Sequence, residues 1–570
     1  MNSSFKIYVP FSRIVLLGML ALLMGCKGNP VSSMPQIAEP TAFVIPSPTS
    51  YDPMPQTSDG FYWWNKVVFY EIFVRSFADS NGDGIGDLNG IIQKLDYLND
   101  GNPDTDSDLG INAIWLMPIY PASSYHGYDV IDYYDINPQY GTLEDLKNLL
   151  SKAHQRGIRV IIDFVINHTS SKHPWFIDAR SNPASQYRAW YIWSIENPGY
   201  SGPWGERVWH FNYNGQYYYG VFTAEMPDLN FVNAKVTQEV YKIARFWIED
   251  VGVDGFRVDG ARHLIEDGKI QANSSATHRW FEQFQFGIKQ MNSQFLTIGE
   301  VWDSNFAAVK YVKNDAFDLV FDFELSESIL AGLNRSDAKK ISNALEFNFK
   351  LYPQFQKANF LTNHDMNRAM DALLMDVNKA KLAAILLLTS PGVPFIYYGE
   401  EIGMAGSKPD ENIRKPMQWD SSVNSGFSNA TPWQSLNSEY KVNNVAELRV
   451  DQNSLFTLYR ELIQLRNGHI SLQTGEFILI DTKNTGIIAF LRKSSQETIL
   501  VLINLGKEKV PLTLDLSVGT MPPEKYNASV LLSSFQMDDF EMDAGKSNSL
   551  FQGEKILNPE DYLLISLQKK

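Results

Sequence analysis

The sequence is poor in cysteine and in basic residues, and both shortages exclude classes of protein. Its 570 residues include a single cysteine, Cys26, so no disulfide can form within the chain. Lys and Arg number 49 against 65 Asp and Glu, which gives a formal net charge of −16. Because proteins that bind nucleic acids usually present a basic surface, we expect no nucleic-acid partner. With 44% hydrophobic and 20% charged residues, the composition excludes wholesale disorder.

Long apolar runs are also scarce, and the one near the N-terminus is short. Lys6 and Arg13 precede an apolar stretch over residues 14–24, which is too short to span a bilayer but fits a secretory signal. The residues that follow, Leu23-Met24-Gly25-Cys26, resemble a bacterial lipobox, in which the cysteine becomes the lipidated first residue of the mature protein. We therefore predict a lipoprotein signal peptide over residues 1–25.

Export and attachment through a lipid on Cys26 follow from this signal. Lys27 differs from the Asp that retains lipoproteins at the inner membrane, which favours the outer membrane or the cell surface. The lipid is the only membrane contact that we expect, and cleavage without lipidation is the alternative. Seven prolines among residues 27–58, with no helical or strand periodicity, predict an extended tether over residues 26–58.

Short apolar runs then alternate with helical stretches. Eight runs have the length and composition of buried strands, at residues 67–72, 113–117, 160–164, 255–259, 295–300, 317–320, 359–363 and 394–398. Helical patterns, such as those over residues 143–154 and 236–250, separate most of them. Eight buried strands alternating with helices predict an α/β fold, a parallel (β/α)8 TIM barrel rather than a doubly wound sheet.

Two segments depart from this alternation. Residues 169–230 contain five of the 13 Trp and are too long for one crossover helix, so we predict an inserted lobe, domain B, over the barrel mouth. After residue 475, the runs at 477–480, 487–491 and 498–503 predict an antiparallel β-sandwich. The barrel is thus expected over residues 59–168 and 231–475, and the sandwich over 476–570.

Acidic residues stand at the carboxyl ends of three of the predicted strands, where barrel enzymes carry their chemistry. Asp259 ends one run, Glu300 ends the next, and Asp365 closes an Asn-His-Asp sequence. A single such acid is more often a helix cap or an ion-pair partner. Three of them, accompanied by Arg257 and by histidines, fit the cleavage of a glycosidic bond, which needs one ionised and one protonated carboxyl.

Several segments resemble the α-amylase family of glycoside hydrolases. Residues 163–168, 255–263, 299–302 and 363–365 are similar, in order, to the four sequence regions of that family, and residues 125–129 and 392–400 match flanking pieces. The likeness covers residues 60–475, and the β-rich region that follows fits the C-terminal domain of the family more loosely. The resemblance therefore implies the same TIM barrel.

The resemblance also implies roles for individual residues. Asp259 would be the nucleophile of a retaining mechanism, Glu300 the general acid and then the base, and Asp365 the holder of the 2- and 3-hydroxyls of the sugar. Arg257 lies two residues before Asp259, so their side chains share a face of the strand and the cation would keep Asp259 ionised. His126, His168 and His364 look like donors to sugar hydroxyls, and Tyr128 looks like the stacking platform. The full set of implied substrate-binding residues is His126, Tyr128, His168, Arg257, His263, His364 and Arg368.

A Gly-rich acidic loop is the candidate metal site. Its oxygen donors alternate with glycines, as a hard cation with six or more ligands requires. Similar loops bind calcium after the first barrel strand in some α-amylase relatives. The ligands would be the side chains of Asp79, Asn81, Asp83 and Asp87 and the carbonyl of Ile85. A turn without metal is the alternative, and a second calcium at Asn167, Asp228 and the His263 carbonyl is left open.

The specificity signals are mixed. Residues 226–230 resemble a form intermediate between the oligo-1,6-glucosidase and neopullulanase types, and residues 414–419 lean towards oligoglucosidases. Residues 260–263 resemble α-amylases acting on α-1,4 bonds. We predict an endo-acting α-amylase of the intermediary group, which degrades starch and maltooligosaccharides and sometimes transfers glycosyl groups.

The alternatives on the same barrel are an exo-acting α-glucosidase, an oligo-1,6-glucosidase and a 4-α-glucanotransferase. From another class, a non-catalytic sugar-binding protein is disfavoured because all three acids are present. No protein partner is implied.

Overall fold

A computed structural model describes residues 60–105, 107–482, 484–511, 525–543 and 556–569, all of which belong to one compact unit. The predicted signal peptide, Cys26 and the tether lie outside these residues.

The strands are β1 (Phe69–Ile72), β2 (Ala113–Leu116), β3 (Arg159–Phe164), β4 (Trp193–Ser194), β5 (Trp209–Asn212), β6 (Gln216–Tyr219), β7 (Gly255–Val258), β8 (Leu296–Gly299), β9 (Leu319–Phe321), β10 (Lys357–Phe360), β11 (Val393–Tyr397), β12 (Glu476–Leu479), β13 (Ile487–Lys493), β14 (Thr498–Asn504), β15 (Val510–Pro511), β16 (Lys525–Ser533), β17 (Phe540–Asp543), β18 (Ile556–Leu557) and β19 (Tyr562–Lys569).

The α-helices are α1 (Val74–Phe77), α2 (Leu88–Gln93), α3 (Leu95–Leu98), α4 (Leu143–Gln155), α5 (Pro174–Ser181), α6 (Ala234–Arg245), α7 (Ser275–Met291), α8 (Asn305–Lys313), α9 (Phe323–Arg335), α10 (Ala338–Leu351), α11 (Ala369–Ala372), α12 (Val377–Thr389), α13 (Asp410–Ile413), α14 (Val445–Leu448), α15 (Leu455–Gly468) and α16 (Ile470–Thr474). A π-helical turn, Phe246–Val251, continues α6, and short 3-10 helices cover Trp63–Asn65, Arg188–Trp190, Ala261–His263 and Val423–Gly426.

The predicted parallel barrel is confirmed. Its strands close in the order β1-β11-β10-β9-β8-β7-β3-β2, and each pair is parallel. All eight predicted runs contribute one strand. Because the barrel interior and the surrounding helices cover both faces, these strands read as continuous apolar runs. Aromatic rings fill much of the interior, where Phe69 stacks on Phe395 with ring centroids 4.3 Å apart.

Helix α4 illustrates how the sequence sets the outer layer. Thr142 accepts a hydrogen bond from the Asp145 amide while Asp145 accepts from Thr142, a capping box that defines the start of the helix. Its buried residues, Leu146, Leu149, Leu150 and Ala153, recur at helical spacing and face the barrel.

The segment between β3 and β7 carries a small sheet of its own, in the order β4-β6-β5, and helix α5. Trp209 and Tyr219, which pair across β5 and β6, are buried together with Val208 and Val221 in a separate apolar cluster. An independent core explains why this segment, which includes the predicted insertion, is rich in aromatic residues.

The predicted antiparallel C-terminal region is also confirmed. Six described strands form a sheet in the order β12-β13-β14-β19-β16-β17, and β15 pairs with β18 beside it. Alternate residues of β13 face opposite ways: Phe490 joins the main core and Leu491 joins a second cluster that includes Leu557 of β18. Within the described residues, no helix combines the length and the apolar character that a bilayer crossing requires.

Candidate active site

The barrel brings the three predicted acids to one end because its strands are parallel. Asp259 follows β7, Glu300 follows β8, and Asp365 lies in the loop after β10. Gly260 has a φ of 52°, so the chain turns sharply after Asp259 into the 3-10 helix Ala261–His263. The Gly260 amide donates to Oε2 of Glu300 at 2.9 Å. The turn after one strand therefore orients the acid that follows the next.

A buried guanidinium joins two of these acids. Arg257, on β7 and 1% exposed, contacts Asp163 Oδ1, Asp259 Oδ1 and Glu300 Oε1, each at 2.7 Å. Of these contacts, only the one with Asp259 is predicted by the sequence. Asp163 lies in a matched segment but was assigned no role, because its function depends on a contact between β3 and β7.

The carboxyls around Arg257 compete for one positive charge. Burial raises the pKa of Asp163 to about 7 despite the neighbouring guanidinium. Burial also raises the pKa of Asp259 and of Glu300, and Arg257 opposes both shifts while Asp365 adds to them. Mutual repulsion favours the uptake of a proton by one carboxyl of the group. The site can therefore hold an ionised and a protonated carboxyl side by side.

Asp365 is held by two cations. Arg414 Nη2 donates to its Oδ1 at 2.8 Å, and His364 Nε2 lies 3.2 Å from its Oδ2. Burial alone raises the pKa of Asp365, but His364 and Arg414 outweigh burial and hold it below its usual range. An ionised Asp365 can only accept hydrogen bonds, as a group that binds sugar hydroxyls should.

A carboxylate on β1, missed by the sequence analysis, lies behind His364. Glu71 Oε1 is 2.5 Å from His364 Nδ1. Burial lowers the pKa of His364, but Asp365 and Glu71 outweigh this effect and raise it to about 10. The second ring nitrogen lies 2.6 Å from Tyr128 Oη. A buried Glu within an apolar strand was the available signal for this residue.

A cavity of about 690 Å³ opens over the acids. The predicted residues that line it are Asp259, Glu300, Asp365, His126, Tyr128, His168 and His263. Burial lowers the pKa of His126, His168 and His263 to about 4 in each case. These imidazoles are neutral near pH 7, so each can donate one hydrogen bond and accept another. The remaining lining residues are Trp204, Phe222, Thr223, Met226, Gly260, Arg262, Trp302, Asp410 and Arg414.

Three predicted substrate-binding residues do not line the cavity. Arg257 and His364 are buried behind it and act through Asp259, Tyr128 and Asp365. The expectation for Arg368 is corrected, since its guanidinium donates to the carbonyls of Ile413 and Tyr398 at 2.8 and 2.7 Å. Arg368 is 1% exposed and packs over the rings of Tyr397 and Tyr398, which makes it a structural residue.

The candidate metal loop wraps around its own first residue. Asp79 accepts from the amides of Gly82 and Gly84 at 2.7 and 2.8 Å and from Ser428 Oγ at 2.5 Å. Burial raises the pKa of Asp79, but these hydrogen bonds hold it below its usual range. Asp87 is partly committed elsewhere, because it caps α2 by accepting from the Gly90 amide at 2.7 Å.

The donors of this loop are all oxygen atoms, and Asp79 is ionised, so their chemistry fits a hard cation. No cluster of three or more His, Cys, Asp or Glu suited to a metal ion occurs in the described part of the chain. A cation in this loop would need Asn81 and the Ile85 carbonyl as ligands in addition to the carboxylates.

The possible second site has an additional acid. Asn167 and Asp228 are both buried, and Glu266 lies next to Asp228. Burial and the charge of Glu266 raise the pKa of Asp228, and burial raises that of Glu266 to about 7. Glu266 was not predicted from the sequence, because it lies outside the segments that resemble the family.

Comparison with known proteins places these observations in a family. The model of the α-amylase catalytic domain matches residues 71–475. α-Amylase 3 of Dictyoglomus thermophilum is 43% identical over 451 residues, covering 78% of this chain and 86% of that protein. A glucan 1,6-α-glucosidase of Streptococcus pneumoniae is 34% identical over 530 residues, covering 82% and 96%. Among solved structures, an α-amylase from H. orenii has a TM-score of 0.77 and 38% identity, covering 88% of this chain and all of that one.

Proposed function

This chain belongs to the α-amylase family of glycoside hydrolases, and we propose that it is a retaining, endo-acting α-amylase that cleaves α-1,4-glucosidic bonds of starch and maltooligosaccharides. The observation that carries the retaining assignment is the contact of Asp259 and Glu300 with the two terminal nitrogens of Arg257. Retaining glycosidases hold their carboxyls about 5–5.5 Å apart, whereas inverting enzymes hold them about 6.5–9.5 Å apart. Two carboxyls that share one guanidinium fit the shorter separation.

In this mechanism Asp259 attacks the anomeric carbon while Glu300 gives its proton to the leaving oxygen. The leaving sugar departs, and Glu300 then takes a proton from the water that attacks the glycosyl-enzyme intermediate. Arg257 opposes the effect of burial on the pKa of Asp259 and favours its ionised form through a hydrogen bond of 2.7 Å. Asp365, whose charge is fixed by His364 and Arg414, accepts hydrogen bonds from the hydroxyls of the same ring.

Endo action on chains is supported by the cavity wall. Trp204 and Phe222, from the segment after β3, add aromatic surface to the cavity wall, and aromatic faces suit the packing of successive sugar rings. Similarity to an α-amylase supports activity on α-1,4 bonds. Similarity to a glucan 1,6-α-glucosidase makes an exo-acting α-glucosidase the second candidate.

A product time course on amylose, maltotriose, isomaltose and pullulan tests the proposal. An endo-acting α-amylase gives mixed short maltooligosaccharides early, while the mean length of amylose falls quickly and isomaltose is a poor substrate. Glucose alone, released while long amylose persists, would assign an exo-acting α-glucosidase. Products longer than the starting maltotriose would reveal glycosyl transfer.

Replacement of the acid provides the matched test of mechanism. Glu300→Gln removes the transferable proton and keeps the size of the side chain, so turnover should fall by several orders of magnitude while maltooligosaccharide still binds. In the wild type, activity should fall as pH rises through the pKa of Glu300, which burial places above its ordinary value. Activity of Glu300→Gln on starch close to that of the wild type would contradict the assignment.

Calcium and export complete the proposal. Asp79, Asn81, Asp83, Asp87 and the Ile85 carbonyl would hold calcium, which would stabilise the loop after β1 and take no part in bond cleavage. Export with a lipid on Cys26 would place the enzyme at the cell envelope, where it can reach external glucans.

A further inference from the structure

Phe306 and Phe347 form an exposed aromatic patch, and Phe306 lies four residues after Trp302 of the cavity wall. Trp302 lines the cavity and is 45% exposed, while Phe306 and Phe347 are 63% and 42% exposed. The ring centroids of Phe306 and Phe347 are 5.5 Å apart and their planes are inclined by 71°. Phe306 lies in the first turn of α8 and Phe347 in the last turn of α10. Two phenylalanines that contact each other in solvent present a surface ready to bind another molecule.

Buried contacts hold the backbone on both sides of the patch and next to Trp302. Trp302 stacks on Phe323 with centroids 4.7 Å apart and planes inclined by 10°. Asp322, the neighbour of Phe323, accepts a hydrogen bond from Asn348 at 2.7 Å, and Asn348 Oδ1 accepts one from Asn305 at 2.8 Å.

These two buried amides immediately flank the exposed pair, since Asn305 precedes Phe306 and Asn348 follows Phe347. This network therefore holds together the backbone positions next to Phe306 and Phe347.

We infer that Phe306 and Phe347 form a remote subsite for an α-glucan chain that leaves the cavity past Trp302. The inference rests on the proposed function, in which Glu300 protonates the leaving sugar. Trp302 follows Glu300 by two residues, so this part of the cavity wall lies on the leaving-group side.

The chemistry of the patch matches a sugar chain. The C–H faces of pyranose rings pack against aromatic faces, and two inclined rings meet successive sugars of a chain that turns at each α-1,4 bond. Lys310 and Asn343, each one helical turn from a phenylalanine, are exposed and can reach sugar hydroxyls.

A second copy of this chain is a poorer occupant. Three fully covered aromatic rings bury at most about 750 Å². That area is below the about 800 Å² per partner of a standard interface, and the three rings are only partly exposed.

Comparison of long and short substrates tests the inference. In the double variant Phe306→Ala/Phe347→Ala, kcat/KM on amylose should fall about tenfold, with the loss mainly in KM, while kcat/KM on maltotriose stays unchanged. Phe306→Tyr/Phe347→Tyr keeps both aromatic faces and should retain activity on amylose. Tyr213→Ala is the matched control, because Tyr213 is 90% exposed on the segment after β3 and lies outside the patch.

Equal losses on both substrates, or an unchanged kcat/KM on amylose, would overturn the inference. A concentration-dependent dimer of the wild type that the double variant loses, with amylose activity intact, would assign the patch to self-association. Affinity electrophoresis in amylose, with Glu300→Gln as the parent protein, measures binding without catalysis. If the wild type fails to cleave α-1,4 bonds, the proposed function fails. The electrophoresis still tests the subsite in that case, because amylose should slow the migration of the parent protein more than that of the double variant.

Discussion

The charge of a single buried histidine, His364, links the β1 carboxylate Glu71 to Asp365. Glu71, His364, Asp365 and Arg414 alternate in sign along a chain of contacts of 2.5, 3.2 and 2.8 Å. Each charge is stabilised by its neighbours, so removing one weakens the others. Asp365 thus depends on a residue that it does not touch.

Glu71→Gln should make stability less dependent on pH. The pKa of His364 is raised from 6.5 in the unfolded chain to about 10, so its contribution is fully present below pH 6.5 and is lost as pH rises through about 10. Without the charge of Glu71 this contribution shrinks by about 2 kcal/mol, the size of a hydrogen bond to a charged group. The difference in melting temperature between wild type and variant should be largest near pH 6.5 and should shrink towards pH 10.

The matched control is Glu497→Gln, since Glu497 pairs with His469 at 2.7 Å far from the acids and both side chains are partly exposed. It should cost little stability and leave kcat on maltotriose unchanged. A loss in Glu71→Gln that is the same at pH 6.5 and pH 10 would show that the residue only fills space.

The site residues that sequence could predict are those that lie in matched segments and face the cavity, such as Asp259 and His126. The role of Glu71 could not be predicted in this way, because its partner His364 is 293 positions away in the sequence. Arg368 was assigned wrongly because a charged residue near the Asn-His-Asp segment resembles a ligand-binding group until its carbonyl partners are known.

At the scale of single elements, the loop that contains Gly82 and Gly84 packs closely against the backbone around Thr431. The two glycines allow a paired test of this contact. Gly82 and Gly84 both have positive φ, 79° and 90°. A Cβ on Gly84 would lie 2.2 Å from the carbonyl oxygen of Thr431, whereas one on Gly82 would meet nothing within 4 Å.

Gly82→Ala should therefore cost about 1 kcal/mol of unfolding free energy, from backbone strain alone. Gly84→Ala should cost about 2–4 kcal/mol, because overlap with the 431–433 backbone adds to the strain. Urea unfolding in the presence of a chelator measures both. Equal losses would mean that the loop does not dock on the segment around Thr431.

Calcium gives a second prediction at this scale. Ligand bound only by the folded state stabilises it by about 2.7 kcal/mol at one hundred times the dissociation constant. Asp83 Oδ1 accepts only from the Ile85 amide among the hydrogen bonds described, at 2.8 Å in an exposed turn, so Asp83→Ala should be nearly neutral in chelator.

Addition of calcium should raise the melting temperature of the wild type and should leave that of Asp83→Ala nearly unchanged. Melting curves that calcium leaves unmoved in both proteins would identify the loop as a turn without metal. The same measurement on Asp104→Ala, an exposed acid in another loop, controls for the loss of a surface charge.

Element prediction succeeded where hydrophobic pattern decides the structure. The barrel strands are short apolar runs between helices, and their bounds differ from the predicted ones by only a few residues. The strands β4 to β6 were not predicted individually, because they have two to four residues and are held by aromatic contacts within their own cluster. No local pattern specifies such strands.

At the scale of the whole molecule, a buried arginine of the C-terminal sheet bonds to the end of α12, and a second buried arginine, from α15, bonds to the same helix end. Arg492 of β13 donates to the carbonyls of Thr389 and Gly475 at 2.6 and 3.1 Å, and Arg466 of α15 donates to those of Leu388 and Gly392 at 2.8 and 2.7 Å. These bonds satisfy carbonyls at the end of α12 that would otherwise be buried without donors. Barrel and sheet should therefore unfold together.

The last prediction concerns where the enzyme works. If Cys26 carries lipid, wild-type protein should sediment with membranes and should be released by detergent but not by salt, because several acyl chains hold a protein stably. A formal charge of −16 also disfavours electrostatic attachment to anionic membranes. Cys26→Ser should move the protein to the soluble fraction with kcat/KM on maltotriose unchanged, since the predicted tether separates Cys26 from the barrel. Lys27→Ser, which keeps Cys26, serves as the control and should leave the protein with membranes. Soluble wild-type protein would indicate ordinary signal cleavage, and a membrane-bound Cys26→Ser variant would require another attachment.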